Sequence, residues 1–139
     1  MKLEDLAADL PNGFHDSEIQ AVSMNFSERT VEFILDVWVG SMADAPAERE
    51  QYRKARLQFL GVEYCAVDPP DPRYPYREPG PITVDLTKPS DEMANTLAHP
   101  PSGFAGRFFV DEWNAFIHFA ATDARMNWLG PVSNRKGAG

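Results

Sequence analysis

The sequence predicts a mainly β protein: an antiparallel β-sandwich or a strongly bent sheet built from hairpins, with two or three short helices. Three observations predict it. "TVEFILDVWVG", residues 30–40, alternates apolar and other side chains with a period of two. "ARLQFLGVEYCAV" and "GRFFVDEWNAFIHFAA" are further long runs rich in apolar and aromatic residues. Pro11-Asn12-Gly13, Gly61 and the prolines between 69 and 81 punctuate these runs, as turn residues do.

The elements follow in chain order. Leu3, Leu6, Ala7 and Leu10 recur at helical spacing until Pro11-Asn12-Gly13 ends the pattern. "IQAVSMNF" reads as a strand with Val22, Met24 and Phe26 on one side. After a turn at Ser27–Arg29, Val31, Phe33, Leu35, Val37 and Val39 face one way and Glu32, Ile34, Asp36 and Trp38 the other. So short a link between two strands predicts a hairpin. Pro46 opens a helical turn in "PAEREQYR". A third long strand runs from Ala55 to Val67, with Ala55, Leu57 and Phe59 inward. Its phase changes at Gly61, which reads as a β-bulge or a bend onto a second sheet.

Residues 68–81, "DPPDPRYPYREPGP", exclude regular helix and central strand. In "ITVDL", Ile82, Val84 and Leu86 point inward. Ser90 is placed to N-cap a brief helix over 91–99, anchored by Met93 and Leu97, with His99 at its C-terminal end. A two-residue turn at Trp113-Asn114 would pair Val110 with Ile117 and Phe108 with Phe119. Phe108, Val110, Ile117 and Phe119 then form one face; Arg107, Phe109, Asp111, Phe116 and His118 form the other.

A chain of 139 residues fits one domain with a sizeable core, residues 130–139 being a flexible tail. Cys65, the only cysteine, rules out an internal disulfide and a cysteine zinc cluster, and in "VEYCAV" it reads as a small buried hydrophobe. A net charge of −8 repels phosphate backbones, so nucleic acid and anionic membranes are not expected partners, whereas a basic protein is. No apolar run approaches the roughly 18 residues of a membrane span. "MKLEDLAADL" lacks the pattern of a secretory signal, which makes the cytoplasm the expected location.

Chemistry has few candidates. In "NGFHDSEI", residues 12–19, His15 and Asp16 are acceptable zinc or iron ligands, but the spacing matches neither HxH nor HExxH. Asp16 and Ser17 are also turn-formers able to bond the nearby backbone, and this structural reading is the preferred one. A metal-dependent enzyme would need His15, Asp16 and His118 to converge. Glycine-rich phosphate loops, nucleophile elbows and paired cysteines are missing from the sequence, which favours a non-enzymatic protein without cofactor. Two surfaces are candidates for binding. Trp38, Phe109, Phe116 and His118 lie on the sheet side that needs cover, from a second layer, the proline-rich loop, a partner chain or an apolar ligand. Arg73, Tyr74, Tyr76 and Arg77 gather two rings and two guanidiniums within five residues of that loop, types enriched at binding hot spots.

The runs "GFHDSEIQAVSMNFSERTVEF", "EREQYRKARLQFLGVEY" and "DEWNAFIHFAA" resemble small bacterial proteins that open with a His-Asp step before a β-hairpin. Some similar proteins look like immunity proteins of toxin systems. The resemblance implies binding rather than catalysis and brings no catalytic residues. The leading expectation is a protein-binding domain, for a basic toxin or a second copy of itself. The alternative is a small-molecule or lipid carrier using the aromatic sheet face, and the second alternative is the metal enzyme.

Overall fold

The computed structural model describes residues 1–76, 80–90, 92 and 103–134. Helix α1 (Leu3–Ala8) precedes the hairpin of β1 (Ser17–Asn25) and β2 (Thr30–Trp38). The short α2 (Pro46–Arg49) leads into β3 (Gln51–Leu60), followed by β4 (Tyr64–Val67) and β5 (Ile82–Thr87). Strand β6 (Phe104–Val110), a 3-10 turn (Asp111–Trp113), β7 (Ala115–Ala121) and β8 (Asp123–Asn134) complete the described elements. The strands form a single antiparallel sheet of eight, not closed, in the order β4-β7-β6-β5-β1-β2-β3-β8.

Two corners give this sheet its curvature. Only Gly61–Glu63 link β3 to β4, and only Thr122 links β7 to β8, yet each pair stands six places apart in the sheet. In a flat sheet that separation is about 29 Å. Three linking residues reach about half as far. The sheet must therefore curl over its apolar face until the two halves oppose one another. Hydrogen bonds fix the corner: Thr122 N donates to Leu60 O at 3.0 Å, and Glu63 N to Ala120 O at 2.9 Å. Gly61 turns there with φ +60°, and a Cβ on it would lie 2.5 Å from Thr122 Oγ1. The single strand expected from Ala55 to Val67 is thus two strands, divided where glycine permits a left-handed turn.

The halves meet through phenylalanines. Phe33 of β2 lies edge-on to Phe108 of β6 (5.5 Å), and Phe59 of β3 contacts Phe104 and Phe119 of the opposite half (5.2 and 4.9 Å). Inward Leu35, Val37, Leu57, Val84, Val110 and Ile117 surround them. Leu3, Leu10 and Phe14, from α1 and the turn after it, join the same core, Phe14 edge-on to Phe108 at 6.1 Å.

Several boundaries differ from the sequence reading. The last hairpin turns through four residues, with Asn114 left-handed, so Val110 pairs with Ala115, Phe108 with Ile117, and Arg107 with His118. The expected faces survive because a register change of two leaves every side chain on its original side. β1 pairs with β5 only over Ser17–Ile19; beyond a bulge at Ile19/Ala21 its pairing is with β2, and Val22 is half-buried while Met24 is exposed. Strand β8 includes 130–134, the first half of the expected tail. Apart from residue 92, the helix read over 91–99, with Met93, Leu97 and His99, lies outside the described residues, as does Arg77.

Candidate functional site

The outer face of the sheet collects most of the candidate residues. Alternation puts Asp85, Phe109 and Phe116 side by side on β5, β6 and β7, and Trp38 beside Tyr52 on β2 and β3. Between these aromatic pairs stand β5 and β1, which contribute Asp85, Thr83 and Glu18, with Asp36 of β2 opposite Glu18. Trp38 therefore does not continue the Phe109–Phe116 stripe: an acidic band separates them.

On one side of that band the stripe is partly covered from within. Phe109 and Phe116 contact at 5.3 Å, and the Arg107 guanidinium lies 4.1 Å above the Phe116 ring. His118, 8 % exposed, has Nε2 at 3.0 Å from Asp68 Oδ2, while its buried Nδ1 has no hydrogen-bond partner among the described residues. Asp68 also donates its N–H to Phe116 O at 2.9 Å, so the start of the proline-rich loop extends the β4–β7 ladder.

The loop is then held to the 3-10 turn. Asp71 N donates to Trp113 O at 2.9 Å, and Tyr76 meets the Trp113 ring edge-on at 4.9 Å. The Asp71 carboxylate accepts from the Arg73 backbone N–H and from its guanidinium at 3.0 Å, which pulls the Asp71 carboxyl down to about 2. Arg73 in turn lies 5.6 Å over Tyr74. Tyr74 and Tyr76 are 50 % and 62 % exposed; the Tyr74 N–H donates to Asp71 O at 2.7 Å, and Tyr76 is held through its ring on Trp113.

On the other side of the band, the opening stretch is worked into the fold residue by residue. Asn12 Nδ2 donates to Gly40 O at 2.7 Å and so ties the α1–β1 turn to the end of β2. Phe14 enters the core, while His15 and Asp16 are exposed. His15 Nδ1 lies 2.7 Å from Asp85 Oδ1, which also accepts the Asp16 N–H at 2.9 Å; Asp16 takes φ +55° there. The His15 ring stands 6.2 Å from that of Trp38. Trp38 Nε1 donates to Arg49 O at 2.6 Å and fastens α2 over the sheet. Gly40 lets this approach happen, since a Cβ there would collide with the Arg49 carbonyl. Beneath α2 lies a cleft of about 410 Å³, lined by Asp16, Glu18, Trp38, Glu50 and Tyr52 among others.

His118 does not join His15 and Asp16. It is bonded to Asp68, and its Cα stands about 12 Å from that of Asp85, two strands over and two residues along. Asp85 takes the third place instead: one ligand-type atom from each of His15, Asp16 and Asp85 falls within a 4.8 Å cluster. That cluster is already knit by the His15–Asp85 and Asp16–Asp85 hydrogen bonds. No protein-family model, curated protein or solved structure matches this chain.

Sequence reasoning passed over Asp85 and Asp68. The outward position of Asp85 in "ITVDL" was legible from the inward set around it. Its meeting with His15 depends on the β1–β5 pairing, across 70 residues. Asp68 read as loop because prolines follow it at once.

Proposed function

We propose that this is a non-enzymatic, cytoplasmic protein-binding domain, immunity-protein-like, whose partner is a basic protein. The exposed pair Tyr74 and Tyr76, the first held by its backbone N–H on Asp71 O and the second by its ring on Trp113, is the observation that carries this reading. Rigid aromatic side chains lose little entropy when they are buried by a partner, so they make effective anchors. The net charge of −8 favours a partner of opposite sign. No described helix is long and apolar enough to cross a membrane, which is compatible with this reading. An apolar carrier of this architecture would hold its ligand in a cavity between the sheet halves. It draws no support from an interior in which Phe33, Phe59, Phe108 and Phe119 are in mutual ring contact.

The test is affinity capture from a lysate of the host, comparing the wild type with Tyr74→Ala/Tyr76→Ala. The expected outcome is a basic protein retained by the wild type, released by high salt, and lost from a variant whose circular dichroism and melting are unchanged. Equal retention by the folded variant would remove the tyrosine loop from the interface.

A further inference from the structure

Resting on the protein-binding reading, we propose that the cleft beneath α2 receives the guanidinium of an arginine side chain on the partner protein. Its volume, about 410 Å³, lies within the range of built ligand pockets. One wall is aromatic: Trp38 and Tyr52 are cross-strand neighbours on β2 and β3. Asp16, Glu18 and Glu50 supply three carboxylates at the cleft, against one guanidinium, that of Arg49. Arg49 Nε donates to Asp44 O at 3.0 Å. The Trp38 indole N–H is likewise committed to Arg49 O. Two donors at the cleft, Arg49 Nε and Trp38 Nε1, are thus committed within the protein. Aromatic faces and carboxylates are the two surfaces that attract a cation, and a planar guanidinium engages both together. An anionic ligand would be repelled by this lining, in which carboxylates outnumber the guanidinium.

The probe is Nα-acetyl-arginine amide, followed by NMR through the Trp38 indole N–H, with the indoles of Trp113 and Trp128 as internal references. A saturable shift confined to Trp38 is expected, with no such shift from Nα-acetyl-glutamine amide. Asp16→Asn/Glu50→Gln should weaken it about tenfold, as loss of charge-assisted contacts requires. If the double variant loses amide dispersion, Glu50→Gln alone serves, because Glu50 is exposed. No saturable shift, an equal shift from the glutamine amide, or an undiminished shift in the variant would overturn the cleft assignment. A partner captured equally well by the wild type and Asp16→Asn/Glu50→Gln would overturn it too, and leave the protein-binding reading standing. A shift from the arginine probe with no partner captured would overturn the partner as the source of the guanidinium.

Discussion

Phe59 shows how much one side chain can hold. Its ring contacts Phe33, Phe104 and Phe119, from both halves of the curled sheet, and is fully buried. Phe59→Ala is therefore expected to cost about 3–5 kcal/mol, read as a lower urea midpoint at unchanged slope. Cys65 behaves oppositely to a reactive thiol: burial pushes its pKa up to about 11. It should react with a disulfide reagent at pH 8 far more slowly than after unfolding, as thiol titration with and without denaturant will measure. The sign of the linkage follows. The folded thiol holds its proton more tightly, so its contribution is full below pH 9 and is lost as pH rises through 11. The inward places of Phe59, Leu57 and Ala55 were legible because a strand's period is two. The His15–Asp85 contact was not, because nothing local to either residue encodes it.

At the level of elements, the β1–β2 hairpin, α1 and the final hairpin all announce themselves through local periodicity and a nearby turn. The turn at 111–114 is longer than expected, since Asp111–Trp113 form a 3-10 turn and Asn114 accepts the left-handed conformation. The corner at Gly61 is an element boundary where conformation and space both require glycine. There the backbone has φ +60° and the space for a Cβ is taken by Thr122. Gly61→Ala combines strain with a clash and is expected to lower stability by about 1–3 kcal/mol, measured by thermal or urea unfolding. Gly61→Ala in a Thr122→Ala background should recover the part due to the clash and keep the part due to φ. If Gly61→Ala melts like the wild type, the corner is not fixed by this glycine.

For the whole molecule, strand content was legible and strand order was not. Periodicity tells each strand which side to bury, but the order β4-β7-β6-β5-β1-β2-β3-β8 depends on two short corners that bring distant strands together. That order also interposes β5 and β1, and with them Asp85 and Glu18, between Trp38 and the Phe109–Phe116 pair, which the sequence reading puts on one continuous side. The result is an outer face divided into an aromatic stripe under Arg107, an acidic band, and a cleft with an aromatic wall beneath α2, with the tyrosine loop anchored beside the 3-10 turn. Such a surface on a chain of net charge −8 suits a basic protein. The most direct measurement is native mass spectrometry of the untagged protein purified from its host. The expected spectrum contains the 15.6 kDa chain bound to a second, basic polypeptide, with the complex missing for Tyr74→Ala/Tyr76→Ala. A chain that instead carries an adduct of small-molecule or metal-ion mass, released on denaturation and unaffected by the tyrosine substitutions, would contradict the proposed protein binding.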